Sequence, residues 1–179
     1  MKTLAVLILL ALMSAAGFAQ VEPDEYVPLK TEHDRFKDET TVQTGHMKVA
    51  GTKYDNLSIM FGYFCKGKTP APKQPLVIML ARIKKNEEPV TIGDLDVIAG
   101  EKRFSITGFS EPIMTRVTNF ISIHQGAALL PFDKALEIAR ASKVEMRVGG
   151  LEFSLSQKQI NALRRLIKQV DPSLSLKEE

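Results

Sequence analysis

The sequence predicts an α+β domain that is mainly antiparallel β, sandwich-like, with about eight strands and two short helices in the C-terminal third. Three observations carry that expectation. Runs of alternating apolar and polar residues recur between Thr40 and His124, separated by turns rich in glycine and proline. Over the last fifty residues the apolar period lengthens towards that of a helix. A capping-box pattern at Ser156–Gln159 then opens an amphipathic stretch that ends at Asp171-Pro172.

The elements follow in order. Val21 to Glu39 is charged, broken by Pro23 and Pro28, and keeps no sustained period, so it reads as an extended lead-in with little helix or strand. Thr40-Thr41-Val42 begins an extended stretch running to about Val49, and Gly51 to Asn56 reads as a turn. Leu57 to Phe64 alternates, with Leu57, Ile59, Phe61 and Tyr63 on one face. A basic, proline-rich loop spans Lys66 to Pro75. Leu76 to Ile83 is almost continuously aliphatic, which suits a strand buried on both faces or at the sheet centre. After the polar connection Lys84–Pro89, Leu95 and Val97 alternate with Asp94 and Asp96. Ala99-Gly100-Glu101 turns the chain, and Phe104 and Ile106 alternate in their turn, which is a hairpin pattern. Met114 to His124 reads as one long strand, with Val117, Asn119, Ile121 and Ile123 on one side and Thr118, Phe120, Ser122 and His124 on the other.

Pro131 suits a first helical position, with Asp133 in the first turn and Arg140 and Lys143 near the end, complementing the helix dipole. Phe132, Ala135, Leu136 and Ala139 form its apolar stripe. Val144–Val148 and Leu151–Leu155 flank Gly149-Gly150, a tight turn whose central residues need positive φ. The final helix buries Ile160, Leu163, Leu166, Ile167 and Val170, with Leu155 and Ile160 at the positions of a hydrophobic staple.

The chain of 179 residues is long enough for one ordinary domain. It is 44% hydrophobic and 25% charged, too apolar for a disordered tail, and its 24 basic against 21 acidic residues lack the excess of a nucleic-acid binder. A single cysteine excludes a disulfide framework and any multi-cysteine metal site. Met1-Lys2, the unbroken apolar run Leu4–Met13 and the small residues Gly17 and Ala19 form a signal-peptide pattern with cleavage before Gln20. The run suits a signal core better than a membrane span of about 20 residues. The organisation expected is therefore a signal peptide over 1–19, the lead-in over 20–39 and a single strand-rich domain over 40–179. The mature chain is expected to be soluble and exported, periplasmic or extracellular, with no transmembrane span after cleavage. Its very short n-region points to a bacterial source.

Candidate chemistry is sparse. Gly108-Phe109-Ser110-Glu111-Pro112 half matches a nucleophile elbow, but proline replaces the second glycine and a strand, not a helix, follows. His124 and Asp133 complete a serine triad on paper only. His33, His46 and His124 are scattered; His33-Asp34 with Asp38 and Glu39 is the densest group for a cation and reads as solvated charge. Cys65, beside Lys66 and Lys68, is expected to be a buried inert thiol, ahead of an intermolecular disulfide and of catalysis. Two basic features remain, Lys66, Lys68 and Lys73 in the proline-rich loop and Lys158, Arg164, Arg165 and Lys168 on the final helix. The latter reads as a solvated helix face before a docking surface for an acidic partner.

Asp34-Arg35-Phe36-Lys37-Asp38-Glu39-Thr40-Thr41-Val42 and Val144 to Ser156 resemble stretches of hypothetical exported bacterial proteins that combine a signal peptide, a strand-rich body and a closing hairpin–helix unit. The resemblance implies export and fold and carries no activity. The reading is thus an exported, non-enzymatic binding or envelope-associated module whose partner is a macromolecule or envelope component rather than nucleic acid. No catalytic, cofactor-binding or metal-ligating residue and no cofactor is assigned. The alternative is a hydrolase or small-ligand protein with a site assembled from distant residues, around Ser110, His124 or Cys65.

Overall fold

A computed structural model describes residues 27–52, 55–85, 92–118 and 121–178. The expected signal peptide over 1–19 lies outside the described residues. In chain order the described elements are β1 (Leu29–Asp34), β2 (Glu39–Thr44), β3 (Met47–Gly51), β4 (Asn56–Lys66), β5 (Leu76–Lys85), β6 (Leu95–Ala99), β7 (Lys102–Ile106), β8 (Ile113–Thr118) and β9 (Ile121–Leu130). Helix α1 (Phe132–Arg140), β10 (Val144–Val148), β11 (Leu151–Leu155) and helix α2 (Gln157–Val170) complete them. The larger, curled sheet runs β1-β2-β4-β5-β9-β8 with β3 also beside β4, and the smaller sheet runs β11-β10-β6-β7. Every described strand pair is antiparallel, so the chain is an antiparallel α+β protein with its two helices near the C-terminus, as its periodicities predict.

The alternation in β4 and the long run in β5 place Ile59, Phe61, Leu76, Ile78 and Leu80 on the inner face of the larger sheet, all fully buried. They pack with Leu95, Val97, Val144 and Met146 of the smaller sheet and with Ile138, Ile160, Leu163 and Ile167 of the helices in one continuous core. Burying an aliphatic or aromatic side chain contributes about 1.5–3 kcal/mol, so this layer holds the two sheets and both helices together.

Three sequence expectations change. The lead-in contains a strand: β1 pairs with β2 from Leu29 opposite Thr44 to Asp34 opposite Glu39. Its middle four residues are exposed, so no apolar period marked it. A local turn makes it instead, in which Asp34 Oδ1 accepts the Phe36 and Lys37 N–H groups at 2.9 and 3.3 Å and Asp38 adopts φ +52°. The stretch from Thr40 to Val49 divides into β2 and β3, which lie along the same edge of β4. At the break, Thr44 Oγ1 accepts the Phe61 N–H at 3.0 Å and replaces the missing ladder bond. Opposite β2, Gly62 admits no larger side chain without a shift, because a Cβ there would stand 2.9 Å from the Val42 carbonyl oxygen.

The third change is at Met114–His124, which is not one strand. It divides into β8 and β9, paired with Met114 opposite His124, and β9 continues to Leu130. No glycine or proline marks this reversal, which is why alternation alone ran through it. The reading of Gly149-Gly150 holds, with φ values of +52° and +78°. Pro131 stands at the N-cap of α1, one place before the predicted position. The capping box of α2 is complete: Ser156 Oγ accepts the Gln159 N–H at 3.4 Å and Gln159 Oε1 accepts the Ser156 N–H at 2.8 Å. Gln159 Nε2 also donates to the Lys48 carbonyl at 2.9 Å and ties the helix start to β3.

Candidate functional site

The residues named as a distant-residue catalytic site are not brought together. The Ser110 N–H donates to the Ala127 carbonyl at 2.9 Å, and its Oγ accepts the Ala127 N–H at 3.2 Å. Ser110 thus extends the ladder beside β9 instead of facing a base. His124 has a different neighbour: its Nε2 lies 3.1 Å from Ser122 Oγ, two residues along the same face. Burial first, then the positive charges of Lys84 and Arg82, hold the His124 pKa below the ordinary histidine value. Cys65 lies at the other end of the sheet. His124 is level with Arg82 and Leu57, and Cys65 is eight positions further along β4, a separation of about 26 Å at strand rise. The thiol is buried, its Sγ lies 3.9 Å from the Gly67 carbonyl, and burial raises its pKa against the opposing effect of hydrogen bonds with Thr40. That agrees with a buried, inert thiol. Asp133 stands exposed in the first turn of α1.

The acidic group of the β1–β2 hairpin is engaged within that hairpin. His33 Nδ1 lies 2.9 Å from Thr40 Oγ1, His33 Nε2 lies 3.9 Å from Asp38, and Asp34 closes the turn. Among the described residues no three His, Cys, Asp or Glu side chains converge as metal ligands. His46, at the break between β2 and β3, has its pKa lowered to about 4 by burial.

The basic face read on the final helix is largely consumed by the fold. Arg164 is 3% exposed. Its Nε donates to the Ala139 carbonyl at 2.7 Å, one Nη to Asn161 Oδ1 at 2.8 Å and the other to the Ala141 carbonyl at 3.5 Å. It therefore caps the C-terminal end of α1. Arg165 donates to Glu178 and to the Val27 carbonyl, both at 2.8 Å, and Lys168 lies 4.0 Å from the same glutamate. Both expectations for this helix placed Arg164 in solvent, and α1 against α2 buries it. Lys158 is exposed, as are Lys66, Lys68 and Lys73 of the proline-rich loop.

Two sheet faces were not singled out in the sequence. The outer face of the smaller sheet is a charged ladder along an open groove of about 780 Å³. Arg147 donates twice to Asp96, at 2.8 and 3.2 Å, and Asp96 also accepts from Ser105 at 2.7 Å. These bonds, Ser105's first, hold the Asp96 carboxyl below the usual carboxylate range. Arg147 and Asp96 are thus paired within this face, and Glu145 pairs with Lys143 at 2.9 Å.

The outer face of the larger sheet has the opposite character. Register places Gln43, Asn56, Ser58, Met60, Phe64, Val77, Met79, Ala81, Ile123, Gln125 and Ala127 on its central part across β2, β4, β5 and β9, and sets the charged Lys30, Glu32, Glu39 and Lys66 on the same face towards the β1 edge. Met60, Val77, Met79 and Ala127 form a second apolar cluster with Phe64 beside it, separate from the main core. The reading of β5 as buried on both faces therefore holds. Within this face, Gln43 Oε1 and Gln125 Nε2 are buried with no hydrogen-bond partner among the described residues. A buried amide atom without a partner costs about 1–3 kcal/mol, so the face carries an acceptor and a donor that call for complementary groups. The alternation around Met60 and Phe64 in β4 and the double burial of β5 were the sequence signals for it.

Comparison with family models, with curated proteins and with solved structures finds no match to this chain.

Proposed function

We propose that this chain is an exported, non-enzymatic binding module and that the central, apolar part of the outer face of the larger sheet is its binding surface. The observation that carries the reading is the pairing of an apolar floor, Met60, Val77, Met79 and Ala127, with the unsatisfied amide atoms of Gln43 and Gln125. Such a floor with two oriented polar groups suits a partner that is itself apolar and brings one donor and one acceptor. Export is supported by the n-region, apolar run and Gly17/Ala19 pattern of the first nineteen residues and by the resemblance to exported bacterial proteins. In this reading the β-rich body acts at the cell envelope or outside it, and its partner is an envelope component or another macromolecule.

Two measurements test it. Mass spectrometry of the fractionated protein should find an exported chain beginning at Gln20; an unprocessed chain retained in the cytosol would refute export. A photo-crosslinking residue at position 60 should give a discrete adduct in intact cells, while the same residue at position 152, on the outer face of the smaller sheet, gives none. Equal adducts at both positions, or none at 60, would remove the larger sheet as the binding surface.

A further inference from the structure

We propose that the tip of the β1–β2 hairpin, with the basic loop beside it, is a peripheral anchor that seats Phe36 among the headgroups of an anionic lipid bilayer. The site is separate from the outer face of the larger sheet and does not rest on that reading. Phe36 is 86% exposed, whereas every other large exposed hydrophobic among the described residues lies between 37% and 58%. Presenting an aromatic ring to water forgoes the gain of burying it, and here the backbone keeps it presented. Asp34 Oδ1 accepts the Phe36 and Lys37 N–H groups, Asp38 takes up positive φ, and the Asp38 carbonyl accepts the Gly67 N–H at 2.7 Å. Thr40 Oγ1 donates in turn to the Gly67 carbonyl at 2.6 Å. The tip is thus braced against the basic loop between β4 and β5, and Phe36 stands out from it as a fixed point.

Cations surround that ring. Arg35 and Lys37 flank it in sequence, with the Arg35 guanidinium 4.9 Å from the ring centre. Lys66, Lys68 and Lys73 of the adjoining loop are exposed at the same end of the sheet. The acidic residues there are engaged: Asp34 closes the turn and lies 4.0 Å from Lys37, Asp38 lies 3.9 Å from His33, and Glu39 stands opposite Lys66. No carboxylate pairs with Arg35, Lys68 or Lys73 among the described residues. One apolar ring within a collar of cations matches a bilayer surface, where phosphates lie outside an apolar layer. An ordinary protein interface needs about 800 Å² of complementary surface on each side, and Phe36 is the single large apolar side chain of this tip. The cations draw the tip to an anionic surface, and the ring then enters the headgroup layer. Such a contact is reversible, because one side chain and a few charges fall short of a permanent anchor.

Tryptophan fluorescence reads the contact at the tip itself, since the chain contains no tryptophan. Phe36→Trp puts a single reporter at the tip, and Glu152→Trp puts one on the outer face of the smaller sheet. Each protein, purified as its own cells make it, is titrated with vesicles whose acyl chains are brominated to quench tryptophan. One set is phosphatidylcholine alone and the other is equal parts phosphatidylcholine and phosphatidylglycerol. Emission from position 36 should move to the blue and be quenched by the phosphatidylglycerol vesicles only, while position 152 stays unchanged. K68E/K73E in the Phe36→Trp background should raise the lipid needed for half quenching at least about tenfold, from about fivefold per cation near an anionic surface. Added salt should act in the same direction. Both lysines are exposed, so an unchanged melting temperature reports an intact fold. No quenching at position 36 by phosphatidylglycerol vesicles would overturn the proposal. So would equal quenching at 36 and 152, an equal response to both lipids, or a K68E/K73E titration that matches the parent. A photo-crosslinker at position 36 that gives a discrete protein adduct in intact cells, without vesicle quenching, would assign the tip to a protein partner instead.

Discussion

Arg164→Met is the most informative single change to the fold. The guanidinium lies in the interior, with no carboxylate partner among the described residues, held by the Ala139 carbonyl, the Ala141 carbonyl and Asn161 Oδ1. The two carbonyls belong to the end of α1, where orphaned acceptors and the negative end of the helix dipole favour a cation. Hydrogen bonds to a charged donor contribute about 1.5–3 kcal/mol each. Counting the two short ones at full weight and the 3.5 Å one at little, their loss costs about 3–6 kcal/mol. Methionine recovers part of this by removing a buried charge and by filling the space of the aliphatic stem. The net expected loss is about 3 kcal/mol, a fall in melting temperature of about 6–12 °C for a domain of this size. Arg164→Lys keeps the charge but not the three-point contact and should lose about half as much. The assay is urea unfolding of the three proteins with the m-value compared. If Arg164→Met lies within about 0.5 kcal/mol of the parent, or if lysine and methionine are equally damaging, the capping role is refuted.

Three further predictions follow from the same packing. Ser156→Ala removes the acceptor for the Gln159 N–H at the start of α2 and should cost about 1 kcal/mol by denaturant unfolding. Acidification should weaken the fold through His46 and, in the same direction, through His124. Both have folded-state pKa values below the unfolded value, so the unfolded chain binds more protons in acid. The stabilising contribution is present above pH about 6.5 and is lost as pH falls towards 4, by up to about 3 kcal/mol for His46. His46→Gln should flatten that part of the stability–pH curve, and an unchanged slope would refute the assignment. Native Cys65 should react with a maleimide far more slowly than the unfolded chain, because it is buried and its pKa is raised by that burial; labelling at the unfolded rate would contradict the buried thiol.

Sequence alone determined those elements whose information is local. The capping box at Ser156 and Gln159, the Gly149-Gly150 turn and the alternation in β4 each depend on residues a few positions apart. The antiparallel α+β class follows from them, as does the double burial of β5, which needs only an aliphatic run. Tertiary structure decided whatever depends on pairing between distant segments. Strand β1 exists because β2 stands beside it, and no apolar period of its own announces it. The β8–β9 reversal carries no glycine or proline, so an alternating pattern runs through it unbroken. Arg164 reads as solvated on a helical projection and is interior because α1 lies against α2. The candidate surface belongs to the same class. Gln43, Met60, Met79 and Gln125 come from four strands spread over more than eighty residues, and only register sets them on one face. Hydrogen bonding and side-chain period act along the chain and are legible in it, whereas a shared surface is a property of strand order, which the pattern of a single strand does not encode.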